Sequence, residues 1–241
     1  MYVGPVPSLP RFAWPPGKRA DAIDGWARLG LAGGLIAPPL FVGATLIVTL
    51  VDKPFVDDSE WSAVHRSEVG WPSVVMLGPN GGVVIAALVT CGVLIIGFAS
   101  ALWLVVPDAP RVRGAAVLLG VVGLALCLVA FRQDPLGFEG AASWHDRVHN
   151  AAYPVIPIGG TVAAGLVWAG ARRRPRWRQM ARISLITVAV AAPSFVLTGV
   201  DPIAQLARYP LFGSLLVWME ALAVTAVFEA GRRRTGGDQP V

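Results

Sequence analysis

Six apolar runs, each closed off by charged or proline-bearing breaks, leave this chain few ways to fold. They cover about 29–51, 81–106, 114–131, 151–171, 183–200 and 211–230. A hydrocarbon core about 30 Å thick takes about 20 helical residues, so each run is close to a membrane-crossing length. A soluble core built from 241 residues could not bury six of them. Composition agrees: 55% of residues are hydrophobic and 15% charged, against about 25% charged in ordinary soluble domains. The mean hydropathy is +0.61. The predicted fold class is all-α, a polytopic membrane protein built as a six-transmembrane-helix bundle.

Charge placement sets the orientation. The segment before the first run, the turn at Arg111, the stretch Arg172–Arg182 and the C-terminal tail hold 15 of the 20 Lys and Arg. The three alternate loops hold 5, together with 9 carboxylates. The positive-inside rule then predicts both termini in the cytoplasm and the acidic loops outside. The arginines cluster at the ends of apolar runs, so the net charge of +5 reads as orientation and headgroup contact, not as nucleic-acid binding. Favouring Arg, Ala, Gly, Val and Pro over Lys, Asn and Ile suggests a GC-rich bacterial gene, hence a bacterial cytoplasmic membrane.

Outside the spans, residues 1–28 read as a Pro-rich cytoplasmic tail without a signal-peptide pattern, and residues 231–241 as a disordered one. Ser59 to Trp71, in the first outer loop, has the spacing of a short interfacial helix. Gly30 with Gly34, and Gly120 with Gly123, predict faces of close helix packing. Pro38-Pro39 predicts a kink in the first span, and Pro154 with Pro157 a bend in the fourth. Cys91 and Cys127 lie inside apolar runs and read as small packing residues.

Chemistry is concentrated in Ser143-Trp144-His145-Asp146-Arg147-Val148-His149-Asn150. The chain has three histidines, and two of them stand here four residues apart, one helical turn on one face. Ser143 followed by Asp146 predicts a helix start of the capping-box kind, with Asp in place of Glu. The topology puts the third, His65, on the same side of the membrane. His65, His145 and His149 are therefore candidate zinc ligands, with a fourth position open for water. Asp146 takes the glutamate's place in a string like His-Glu-x-x-His. Asp134 is a second candidate base, or a partner for an imidazole N–H. The alternative is that these histidines only hydrogen-bond at a helix start.

Glu220 lies near the middle of the sixth run, where a carboxylate costs about 2.5–3.5 kcal/mol to insert. It reads either as a proton or substrate site, or as a neutral acid paired with Thr90, Thr161, Ser184 or Thr187. Arg208 and Asp201 read as a rim ion pair.

Phe131-Arg132-Gln133-Asp134-Pro135 followed by His145-x-x-x-His149-Asn150 resembles the bacterial six-span family called domain of unknown function 998. That family shows an aspartate-proline and a His-Gly-x-x-His stretch in this order, and Asp146 stands where its glycine is usual. Gln205 to Arg208 is similar to its Gln-Arg region. The resemblance implies a fold and no established activity. A more distant likeness, of site pattern alone, is to ceramidase-like membrane hydrolases: Ser62 or Ser67, His65, Asp134, His145 and His149 follow in their order. Three functions stay open: a zinc-assisted hydrolase of a lipid or other amphiphile, a non-catalytic accessory or small-molecule binder, and carboxylate-driven isoprenoid chemistry using Glu220 or Asp201.

Overall fold

Each apolar run becomes a helix because its backbone groups have no other partner in a hydrocarbon medium. The computed structural model describes residues 16–59, 72–106, 109–135, 139–200 and 203–234. Its helices are α1 (Pro16–Val51), α2 (Lys53–Asp58), α3 (Gly81–Val105), α4 (Pro110–Val129), α5 (Trp144–Ala152), α6 (Val155–Ala171), α7 (Arg178–Leu197) and α8 (Ala204–Arg234). Short 3₁₀ turns span Ser73–Leu77 and Pro175–Trp177. No strand occurs among the described residues. Six helical stretches, with α5 and α6 making one of them, are long and apolar enough to cross a membrane.

Sequence neighbours pack as spatial neighbours. The order α1, α3, α4, α6, α7, α8 forms a ring that α8 closes against α1. Two glycine contacts set how closely the first three approach. A Cβ on Gly30 would strike the Gly97 carbonyl of α3, so α1 and α3 meet backbone to backbone. A Cβ on Gly92 would fall 2.5 Å from both the Gly123 oxygen and the Cys127 sulfur of α4. Small residues supply such contacts where no hydrophobic force drives helices together. On the far side, the buried Trp218 indole donates to Ser184 Oγ at 3.0 Å, tying α8 to α7. Large apolar side chains such as Ile47, Val93, Val121, Ile186, Val217 and Phe228 point outward, exposed to what must be lipid.

Several boundaries differ from the sequence reading. α1 starts at Pro16 instead of near Leu29, because proline is well placed in a first helical turn and residues 17–28 hold no further proline. α1 also continues through Pro38-Pro39 as one helix. α8 starts at Ala204 and carries Pro210 within its early turns, where the sequence reading began the span at Leu211. The fourth span does break, at Tyr153-Pro154 between α5 and α6. The disordered tail expected from residue 231 starts later, because α8 stays helical to Arg234. Residues beyond 234, Asp201 and the interfacial helix expected at 59–71, apart from Ser59 itself, lie outside the described residues.

The acidic first loop is pinned at its ends. Asp52, buried after α1, accepts from the Asn80 backbone at 2.9 Å and the Asn80 amide at 2.6 Å. That clamp holds the turn Ser73–Leu77 against the bundle, which decides where Ser73 stands.

Candidate functional site

Ser143 caps α5: its hydroxyl accepts the Asp146 N–H at 3.2 Å, as the spacing predicted. The reciprocal half of a capping box is absent. The Ser143 N–H goes instead to Asp134 Oδ2 at 2.8 Å. Asp146 turns away, accepting the Asp134 N–H at 3.3 Å and the Asn150 amide at 2.8 Å. Gln133 then donates to Asn150 at 2.9 Å. This mesh ties residues 133–134 to the first two turns of α5. Both oxygens of Asp146 are used in it, so Asp146 acts as a tether of the loop. Hydrogen bonds from Ser143 hold the Asp134 carboxyl below its ordinary value, with help from nearby His145.

The two histidines are anchored in the same manner. His145 Nδ1 lies 2.8 Å from the Arg132 carbonyl, and His149 Nδ1 lies 2.8 Å from the Phe131 carbonyl. A carbonyl can only accept, so each ring carries a proton on Nδ1, and the neutral ring then presents its lone pair at Nε2. Their surroundings then diverge. His145 is partly exposed, stacked edgewise against Trp144, with Asp134 Oδ1 3.9 Å from Nδ1. His149 is buried at 1% exposure, and its Nε2 meets the hydroxyl of Ser73 at 3.1 Å. Since Nε2 is the acceptor, Ser73 donates.

Ser73 faces a cavity of about 250 Å³ enclosed by α1, α3, α4, α6 and α8. Apolar residues from Phe41, Ile95, Leu126, Leu215 and Met219 form its walls. The indole of Trp218 also lines it but is already bonded to Ser184. The remaining side-chain oxygen and nitrogen groups of the lining belong to Ser73, Tyr153, Gln205, Arg208 and Tyr209. All five sit where the loops between spans meet the bundle, on the side of the histidines. Gln205 is 3% exposed and accepts from Arg208 Nη1 at 3.0 Å. Arg208 Nε is buried without a hydrogen-bond partner among the described residues. Tyr153, in the break between α5 and α6, packs edgewise on Phe212 with centroids 6.0 Å apart.

The sequence-predicted residues thus separate. Asp134, Asp146, His145 and His149 come together around the start of α5. Glu220 stands apart, half-buried on α8 and outside the cavity lining. Its expected partners are committed elsewhere: Thr161, Ser184 and Thr187 donate to carbonyls of their own helices, and Thr90 is exposed. Glu220 has no hydrogen-bond partner among the described residues. His65 lies outside those residues, and among them no group of three His, Cys, Asp or Glu side chains could hold a metal ion. Zinc on the remaining pair would use the two Nε2 atoms, of which one already holds Ser73. A carbonyl on the second ring nitrogen is the support that ligand histidines ordinarily have.

Ser73 and Tyr153 were missed by the sequence reading. Tyr153 could have been found, because it stands four residues after His149. Nothing local marks Ser73, which meets His149 only through the fold.

A profile of the family described as "Protein of unknown function (DUF998)" matches residues 35–228. No curated protein and no solved structure matches the chain. The likeness to ceramidase-like hydrolases therefore rests on the residue pattern alone.

Proposed function

The chain belongs to the DUF998 family, and we propose that this member binds a single-chain anionic amphiphile. The chain of that ligand lies in the cavity and its head lies near Arg208, at the extracytoplasmic side of a bacterial cytoplasmic membrane. One observation carries this reading: a long apolar cavity whose polar side chains gather at a single end, where the buried Arg208 Nε has no hydrogen-bond partner among the described residues. From Gln205 to Met219 it follows about 21 Å of α8, at about 1.5 Å per residue. Its volume of about 250 Å³ falls just below the range of about 300–1,000 Å³ usual for drug-sized ligands, so it suits one chain and not a whole bilayer lipid. The head end carries the right charge. A guanidinium has five N–H donors and no acceptor, and here the buried Nε–H has no partner among the described residues. An anion in that place would complete it, since a charge-assisted bond contributes about 1.5–3 kcal/mol.

Binding of decanoate and of decanol to protein in nanodiscs tests both halves. Leu216→Trp puts bulk into the cavity wall and should weaken both ligands. Arg208→Gln should weaken decanoate by about tenfold or more and leave decanol nearly unchanged, at about 1.4 kcal/mol per factor of ten. Equal binding by all three proteins would remove the cavity from consideration.

A further inference from the structure

Ser73 and His149 make a buried pair that amphiphile binding alone does not use. We propose that they form a nucleophile and general base acting on an acyl ester whose chain occupies the cavity, an inference that rests on the cavity reading above. Three features set up the chemistry. The hydroxyl-to-imidazole distance of 3.1 Å is within proton-transfer reach. The Phe131 carbonyl fixes the tautomer by holding Nδ1–H, so Nε2 is the basic atom and faces the hydroxyl. A nucleophile, a base within reach and a third group that orients the base form the general arrangement for covalent catalysis. Ser73 is 8% exposed and lines the cavity, so a bound chain would bring its ester to the hydroxyl. Arg208, at the same end of the cavity, is of the charge type that favours a developing oxyanion.

The step balances without any further reagent but water. Ser73 Oγ bonds to the ester carbonyl carbon while its proton passes to His149 Nε2. The bond from that carbon to the alcohol oxygen breaks, and the alcohol leaves with the proton from Nε2. Water then attacks the acyl carbon and gives a proton to Nε2. The bond to Ser73 Oγ breaks, Oγ takes the proton back, and the carboxylic acid departs.

A decyl fluorophosphonate tests the pair on the full-length protein in nanodiscs, forming a Ser73 phosphonyl adduct with loss of HF. Peptide mapping should place the adduct on Ser73, and Ser73→Ala should abolish it. His149→Asn retains a donor for the Phe131 carbonyl but removes the base, and should slow labelling by about 10²-fold or more. Both variants are checked for wild-type unfolding temperature, and decanoate binding by His149→Asn shows that its cavity is intact. Displacement of decanoate by the probe without any Ser73 adduct would overturn the dyad and leave the cavity standing. So would an adduct formed equally fast in His149→Asn. Failure of the probe and decanoate to compete would overturn the cavity reading, and the dyad with it.

Discussion

The carboxylate of Asp134 fixes the loop before α5 by taking hydrogen bonds from Ser143. Those bonds lower its folded-state pKa from the ordinary 3.8. A lowered carboxyl pKa means that the unfolded chain binds more protons below neutrality. Its stabilisation is therefore fully present above about pH 4 and is lost as pH falls through the lower folded value. Acid titration of detergent unfolding should show this loss in wild type and not in Asp134→Asn. At this scale, some of the site could be read from the chain. The spacing of His145 and His149 and the cap at Ser143 are local relations, and local relations survive in sequence. The hydrogen bonds of Asp146 could not be read there, because its partners, the Asp134 N–H and Asn150, depend on a loop folding back on the helix.

Helices α3 and α4 meet through glycines, and the contact allows no substituent. At Gly92 the obstacle is partly a backbone oxygen, which cannot rotate away as a side-chain tip can. Gly92→Val should destabilise the protein by about 1–3 kcal/mol, the usual cost of overpacking. Gly82→Ala on the same helix has nothing within 4 Å of the new Cβ. It should be neutral or slightly stabilising, since alanine is the better helix former. Thermal unfolding in one detergent compares the two. The existence and order of the spans followed from hydropathy, because lipid leaves the backbone few choices. Their ends did not. Residues 1–28 read as a Pro-rich tail, yet Pro16 opens α1 and Pro210 lies inside α8. A proline in a first turn removes only a donor that has no helical partner.

On the scale of the whole molecule, the ring of six spans leaves one cavity wall without α7, whose residues take no part in the lining. The cavity could not be read from the chain, because it is the space left by five helices drawn together through small residues. The orientation proposed for its polar end follows from the arginine count. Single cysteines in a cysteine-free background test it: Glu139→Cys should react with an impermeant maleimide from outside whole cells, and Arg173→Cys should not. The reverse pattern would place the polar end in the cytoplasm. On the proposed function, one amphiphile lies lengthwise in the cavity with its head beside Arg208. Photocrosslinking checks this placement with two fatty acids, one carrying a diazirine near the carboxylate and the other at the chain end. The first should mark Tyr153 and the Gln205–Tyr209 turn, while the second should mark Trp218 and Met219, about 14 to 21 Å further along α8. Labelling by both probes at outward-facing residues such as Ile158 and Val217, with none in the cavity, would contradict it.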